Sequence, residues 1–302
     1  MKILVTAGSG YVGSHVVRQL RAAGHEPLAL DDLASYSTPA RLEDVLRGHS
    51  IEAVIHLEAR EGVAESNDLP ESFYLQNIGS LANLLLAMRE AGVMKIVFSS
   101  SAAVYGSTEN AVVSEDFTPN PINPFGKSKL VCEWMLTDAS KAWGLKSVSL
   151  RHFNVAGSGF DDLVDTSSTN LIPAAFSAVM NNKAIQVFGS DWPTADGTCI
   201  RDYVHVMDLA DAYVASLDYL NAEVREHDVF NVGTRTAASV FAVIDTIHKV
   251  FGKDFEVDLV ERRAGDVAFL CADATRIEKT LGWKPKRDFK EIVSSHYRAS
   301  LN

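Results

Sequence analysis

The chain has 302 residues and carries 28 Lys and Arg against 39 Asp and Glu, a formal net charge of −11 that excludes a broad basic face for nucleic acid while leaving room for a local phosphate pocket. Cys132, Cys199 and Cys271 are widely spaced and in no metal-ligand pattern, which predicts free thiols in a reducing compartment and no metal site. No apolar run is long enough to span a membrane, and glycines interrupt the N-terminal segment too early for a signal peptide, so a cytoplasmic protein of one large domain or two unequal lobes is expected.

In chain order, the apolar run Ile3–Val5 leads through Thr6–His15 into the amphipathic run Val16–Leu20, which reads as strand, glycine turn and helix. Gly8-x-Gly10-x-x-Gly13 at such a turn leaves bare backbone N–H groups at a positive helix end, where a pyrophosphate can approach around Tyr11 and Val12. An acidic pair, Asp31 and Asp32, follows the next apolar run Pro27–Leu30, and a carboxylate there accepts from ribose hydroxyls and repels a 2′-phosphate, favouring NAD over NADP. A tight turn that only packs a helix on a sheet is the competing reading.

Further strands are predicted at Ile51–Leu57, Lys95–Ser100 and Lys146–Arg151, with helices over Ser80–Gly92 and from Pro124 to Trp143, the latter with Leu130, Val131 and Trp134 on an apolar face. This alternation predicts an α/β fold, a Rossmann-like doubly wound parallel sheet, with active-site residues at the strand C-termini: Gly8, Asp31, Leu57, Glu58, Ser99–Ser101 and Arg151–Asn154. After Gly157 polar loops at 159–170 and 189–197 interrupt shorter elements. The expected organisation is a dinucleotide-binding domain over 1–157 and a smaller lobe over 158–302, with the chain returning to the sheet near 229–233 and helices at Ser239–Gly252 and near the terminus.

Three motifs, Ser99-Ser-Ser-Ala-Ala-Val-Tyr-Gly106, Asn123-Pro-Phe-Gly-Lys-Ser-Lys129 and Arg201-Asp-Tyr-Val-His-Val-Met-Asp-Leu-Ala210, together resemble the extended short-chain dehydrogenase/reductases, and within them the UDP-glucose 4-epimerase-like branch of the NAD-dependent epimerase/dehydratase family. The resemblance runs from Thr6 to Trp283. It implies an isomerase that uses NAD to oxidise and re-reduce sugar C4 while a tyrosine, helped by a serine and a lysine, handles the hydroxyl proton. Ser101 falls on the catalytic hydroxyl and Lys129 on the lysine that holds the nicotinamide ribose, but Phe125 stands where the tyrosine is expected. General acid–base steps contribute about a hundred- to ten-thousandfold in rate, so this departure touches the centre of the mechanism.

Other departures lie on the cofactor side. Ala7 replaces the first of three family glycines, Glu58 replaces a small residue after the strand, Glu61 replaces a lysine, and the stretch between Asp32 and Ile51 lacks the family's third strand. By the same resemblance, the cofactor-binding set is Gly8, Gly10, Tyr11, Val12, Gly13, Asp31, Leu57, Glu58 and Lys129. The substrate-binding set departs less: Asn154, Asn170 and Leu171 near the phosphates, Phe188 at the uracil, Arg201 and Arg263 on the diphosphate, and Tyr203 and Asp266 beside them. The implied ligand is a nucleotide diphosphate sugar, UDP-galactose or another UDP-hexose, and the helices around Ser80–Ala91 and Pro124–Trp143 are where the family forms homodimers.

Each residue also has a structural explanation: Ser101 as a cap, Lys129 as a solvated helix lysine, Arg201 and Arg263 as surface ion-pair partners, His56 as a hydrogen-bonded strand end, Tyr105 as a structural aromatic. Glu58 is open between a replacement acid/base and a pocket filler. At the level of function three readings stand: an epimerase with an altered site, a nucleotide-sugar-binding protein that has lost redox catalysis, and an engineered Tyr-to-Phe variant.

Overall fold

A computed structural model describes residues 1–31, 38–108, 112–222 and 227–302. Asp32, one of the two carboxylates expected after the second strand, lies outside the described residues.

The first half alternates as its pattern predicts: β1 (Lys2–Thr6), α1 (Tyr11–Ala22), β2 (Glu26–Leu30), α2 (Pro39–Gly48), β3 (Ala53–His56), α3 (Val63–Asp68), α4 (Pro70–Ala91), β4 (Lys95–Ser101), a 3-10 turn at Ala102–Tyr105, β5 (Val112–Val113), α5 (Pro124–Trp143) and β6 (Lys146–His152). The second half runs β7 (Asn154–Ala156), α6 (Leu171–Met180), β8 (Ile185–Phe188), β9 (Ile200–His205), α7 (Val206–Asn221), β10 (His227–Val232), β11 (Ala237–Ser239), α8 (Val240–Phe251), β12 (Val257–Val260), β13 (Phe269–Ala272), α9 (Thr275–Leu281) and α10 (Phe289–Ala299).

The main sheet has the order β10-β6-β4-β3-β1-β2, and every pair in it is parallel. Side chains alternate along each strand, so Leu4, Val54, Ile96 and Phe98 pack under α2, α4 and α5, while Ile3, Val5, Ile55 and Val97 pack under α1 and α7. Both faces are therefore dry, as the doubly wound expectation requires. Among the described residues no strand lies outside β2, and the segment 32–37, where part of the expected gap falls, lies outside them. The smaller lobe has a sheet of order β11-β9-β13-β5, with β7 on β9, and a separate β12-β8 pair.

Some expectations need correction. Neither α2 nor α3 was expected, and α4 begins at Pro70 rather than Ser80. Trp134 does not face the core; it is 58% exposed, because the inward stripe of α5 runs through Lys129, Cys132, Glu133, Leu136 and Ser140. No described helix is long and apolar enough to cross a membrane.

Candidate active site at the strand C-termini

The turn after β1 is shaped first by packing. Ala7 has φ +50°, a left-handed conformation that costs an alanine about 1 kcal/mol or more. A Cβ on Gly8 would lie 2.6 Å from Ala29 Cβ, and one on Gly13 would lie 2.0 Å from the Ala7 carbonyl oxygen. Gly10 is different. It is the N-cap of α1, its nearest obstacle is the Ala7 oxygen at 3.3 Å, and among the described residues no side chain caps the helix or accepts from the first-turn N–H groups of Tyr11, Val12 and Gly13. Asp31 directly follows β2 and accepts from the Ser9 N–H at 2.9 Å, holding a carboxylate against this turn.

Thr6 joins the turn to β3. Its Oγ1 accepts from the N–H groups of Leu57 (3.0 Å) and Glu58 (3.1 Å), so its own proton points to His56 Nδ1 at 2.9 Å. His56 is thereby fixed as the Nε2–H tautomer at the strand end, and burial, with the nearby Lys129 charge, pushes its pKa down to about 3. Tyr11 donates to the Gly157 carbonyl at 2.5 Å, and burial holds its phenol well above 10; it ties α1 to the segment beyond β7.

The next cluster forms where α5 meets the end of β4. Asn123 caps α5 through Oδ1, which accepts from the Gly126 N–H at 2.8 Å, and Pro124 occupies the first turn. A Cβ on Gly126 would lie 2.4 Å from the Ala103 oxygen, so glycine is what lets the helix seat directly on the 3-10 turn. Ser101 sits there, its Oγ accepting from the Ala103 N–H at 3.2 Å. Lys129, 2% exposed, donates from Nζ to the Ser99 carbonyl at 2.6 Å and lies 5.0 Å from the Phe98 ring and 5.8 Å from the Phe125 ring. It is no solvated helix lysine: burial lowers its pKa, and the negative charge of Glu61 opposes that shift most strongly. Phe125 is 8% exposed and meets Phe73 edge-on at 6.5 Å.

Several members of this cluster were not singled out from sequence. The Asn77 side chain clamps Arg60, accepting from its N–H at 2.8 Å and donating to its carbonyl at 3.2 Å, and also donates to Ser128 Oγ at 2.9 Å, which in turn donates to the Phe125 carbonyl at 2.8 Å. An Asn within a helix interior, where it is disfavoured, was the available signal. His152 ends β6 with Nδ1 facing the Phe153 carbonyl at 3.2 Å and Nε2 facing Ser99 Oγ at 3.1 Å, and burial holds it neutral with a pKa of about 4.

The substrate set gathers in the smaller lobe. The Arg263 guanidinium lies 3.5 Å over the Phe188 ring and donates to the Thr169 carbonyl at 3.2 Å, beside Asn170 and the start of α6 at Leu171. Asn170 donates to Asp165 at 3.1 Å. Arg201 pairs with Asp266 at 3.8 Å, and Tyr203, buried against Phe289, faces the exposed Asn154 across the β7–β9 register. Neither arginine is a freely solvated surface group; burial lowers the pKa of Arg263, and Asp266 counters it. The segment carrying Arg263 and Asp266 reaches the first cluster, since Asn67 of α3 donates to the Ala264 carbonyl at 3.4 Å and a Cβ on Gly265 would lie 3.7 Å from Asn123 Cβ.

Residues 3–233 match the sequence model of the NAD dependent epimerase/dehydratase family. The chain is 38% identical to the UDP-glucose 4-epimerase of Rhizobium meliloti (strain 1021), covering 97% of this chain and 95% of that protein. It is 41% identical to the UDP-glucose 4-epimerase of Azospirillum brasilense, covering 95% and 88%. Among solved structures it is similar to UDP-glucose-4-epimerase from Stenotrophomonas maltophila with bound NAD and formylated UDP-arabinopyranose, with TM-score 0.93, 34% identity and coverage of 100% and 98%. It is similar too to UDP-glucose 4-epimerase from Bifidobacterium longum in complex with NAD+ and UDP, with TM-score 0.93, 31% identity and coverage of 100% and 98%.

Proposed function

The chain belongs to the NAD dependent epimerase/dehydratase family, and on that premise we propose that it is an NAD-dependent, cytoplasmic UDP-hexose 4-epimerase with an altered proton-transfer site at Phe125. The observation that carries this reading is Lys129, a lysine buried without a carboxylate hydrogen-bond partner among the described residues and pinned by Nζ to the strand that ends in Ser101. Burying an ammonium is costly, and a cleft that needs a fixed positive charge beside a developing oxyanion gives it a purpose.

A dinucleotide suits the groups present. The uncapped start of α1 offers backbone N–H groups to a pyrophosphate, Asp31 offers a carboxylate to a ribose, and Lys129 offers an ammonium to the second ribose. When bound, NAD supplies the oxidising nicotinamide that takes the C4 hydrogen with its electron pair and returns it. In this reading residues 1–157 hold the dinucleotide and residues 158–302 the sugar nucleotide. Ser101 orients the C4 hydroxyl. Arg201 and Arg263 neutralise the diphosphate, while Asn154, Asn170 and Leu171 line it. Phe188 stacks on the uracil once Arg263 swings off its ring, and Tyr203 and Asp266 complete the wall. Exposed Leu75 and Leu86 on α4 and Trp134 on α5 give the two helices an apolar outer face suited to a homodimer.

The test has two parts. Mass spectrometry of small molecules released on denaturation should find NAD, and the protein should convert UDP-galactose to UDP-glucose. Phe125→Tyr, which restores a phenol beside Lys129, should raise turnover by about a hundredfold or more. If both the parent and Phe125→Tyr are inactive with saturating NAD, the epimerase reading is wrong. Phe125 and Glu61 favour the second reading, a binding protein without turnover, which predicts UDP-sugar binding in calorimetry with no NAD retained.

A further inference from the structure

We propose that Glu61 is the proton-transfer residue of this site, standing in for the tyrosine that Phe125 cannot supply. The proposal rests on the epimerase reading above. Its geometry starts from the loop that follows β3. Both backbone groups of Arg60 are clamped by Asn77, and the same side chain is tied through Ser128 to the Phe125 carbonyl, so the residue after Arg60 is held at a fixed place relative to α5. The Arg60 side chain turns the other way, donating to Glu65 at 2.6 Å and lying 5.4 Å from the Phe73 ring.

Glu61 is solvent-accessible, yet it sits among groups from three separate elements. Its strongest charge–charge interaction is with Lys129 on α5, it is felt by Tyr213 on α7, and it feels Asp165 in the loop before α6. Its charge is thus felt on α5, on α7 and in that loop, while the side chain stays open to solvent. Among the described residues its carboxylate has neither a hydrogen bond nor an ion pair within 4 Å, so both oxygens are available to a ligand.

The other titratable side chains around Lys129 and Glu61 are either hydrogen-bonded or sealed from solvent. His152 has a partner for each ring nitrogen, the Tyr11 hydroxyl is spent on the Gly157 carbonyl, and His56 and Tyr213, though His56 Nε2 and the Tyr213 hydroxyl have no hydrogen-bond partner among the described residues, are 1% and 0% exposed and out of reach of a ligand. Among the described residues the Ser101 hydroxyl is hydrogen-bonded to no base, and it already accepts from Ala103. Burial raises the pKa of Glu61, with Lys129 opposing and Asp165 adding to the shift, which moves a carboxylate towards the range of an effective general base.

The chemistry balances. The O–H bond at sugar C4 breaks and its proton passes to a Glu61 oxygen, while the hydrogen on C4 leaves with its electron pair to the oxidised nicotinamide, producing a C4 ketone. On return of that hydrogen to the opposite face, Glu61 gives the proton back to the oxygen. Nothing is consumed, and the Lys129 ammonium offsets negative charge on the oxygen in both directions.

The test compares the parent, Glu61→Gln, Phe125→Tyr and the double variant, each measured for turnover of UDP-galactose and, separately, for NAD affinity by quenching of protein fluorescence. Glu61→Gln is expected to lower kcat by about a hundredfold or more while KM and NAD affinity stay within about threefold, and Phe125→Tyr in the same chain is expected to restore turnover. An infrared difference titration of the parent against Glu61→Gln should show a carboxyl protonating above the usual 4.5. Glu61→Gln with kcat within about threefold of the parent, or a loss of NAD affinity equal to the loss of kcat, would overturn the proposal and leave the epimerase reading intact. A parent that is inactive where Phe125→Tyr is active would do the same. Inactivity of both would remove the epimerase reading and the role of Glu61 with it.

Discussion

Replacing Glu133 by Gln tests whether one buried ion pair holds the catalytic strands in register. Arg151 meets the Glu133 carboxylate with two parallel bonds, Nε to Oε1 at 2.9 Å and Nη2 to Oε2 at 2.6 Å, and the two side chains are 6% and 5% exposed. Ser100 Oγ donates to the same Oε1 at 2.5 Å, and Arg151 Nη1 donates to the Tyr105 hydroxyl at 3.1 Å. Burial disfavours the guanidinium charge, and the Glu133 bonds outweigh it, so the Arg151 pKa is raised. Gln keeps the volume and one acceptor oxygen but sets an amide N–H₂ against an Arg donor, leaving a buried charge without its counter-ion. Removing one partner of such a pair costs about 3–5 kcal/mol, whereas replacing both by apolar residues of similar volume is often close to neutral. Urea unfolding followed by far-ultraviolet circular dichroism should therefore show Glu133→Gln less stable by about 3 kcal/mol at unchanged m, and Glu133→Leu with Arg151→Met much nearer the parent, a coupling of a few kcal/mol. Turnover should fall too, because Glu133 lies one turn beyond Lys129 on α5 while its partners Ser100 and Arg151 lie beside Ser99, Ser101 and His152. A Glu133→Gln protein within about 1 kcal/mol of the parent would refute the reasoning.

Two other perturbations follow from the same geometry. His56 and His205 are each pushed down to about 3 by burial, then by the charges of Lys129 and Arg287 respectively, so both are neutral in the fold. The unfolded chain protonates them near 6.5, so as pH falls from 6.5 towards 3 it takes up protons the fold refuses, and each histidine removes up to about 1.4 kcal/mol of stability per pH unit. His56→Gln should flatten the fall of the urea midpoint between pH 6 and 4 by about one proton's worth, and an unchanged slope would count against the assignment. Gly126→Ala drives a Cβ into the Ala103 backbone; overpacking of about 1–3 kcal/mol, offset by about 1 kcal/mol of better helix propensity, should leave the melting temperature lower or equal but reduce turnover clearly, since α5 carries Phe125 and Lys129 away from Ser101. Unaltered turnover would show that the seat of α5 does not set the site.

The parts of this fold that were legible are those whose signals are local. Asn123 and Pro124 start α5 and Gly144, at φ +76°, ends it, and the helix spans the residues the sequence indicates. The strands ending at Thr6, Ser101 and His152 announce themselves as apolar runs followed by small or polar residues. In contrast, the first turns of α4 bury only Phe73 and Asn77 and show no sustained stripe, which hid the start at Pro70. Trp134 was misplaced because its apolar character was read as burial, whereas the inward stripe of α5 contains a lysine and a glutamate whose partners lie on other strands. The Arg263–Phe188 stack and the Arg201–Asp266 pair join segments far apart in the chain, and only family resemblance, not periodicity, could bring them together.

The glycine turn shows how evidence for a fold and evidence for a ligand separate. Gly8 is demanded by Ala29 and Gly13 by the Ala7 carbonyl, whether or not a dinucleotide ever binds. A motif built from these two positions attests the close seating of α1 on β1 and β2 and nothing more. Ala7 makes the same point from the other side, since it retains the left-handed conformation without the glycine that would adopt it freely, which means that packing enforces the turn. What speaks for a ligand is the remainder: Gly10, less crowded than Gly8 or Gly13 and with no side-chain cap on the helix it starts, Asp31 held against the turn, and a buried ammonium that feels the charge of a carboxylate without a hydrogen bond or ion pair among the described residues. Those charges are the part of the site that binding must neutralise, and so the nicotinamide end, where Phe125 and Glu61 stand, is where this chain's chemistry is decided.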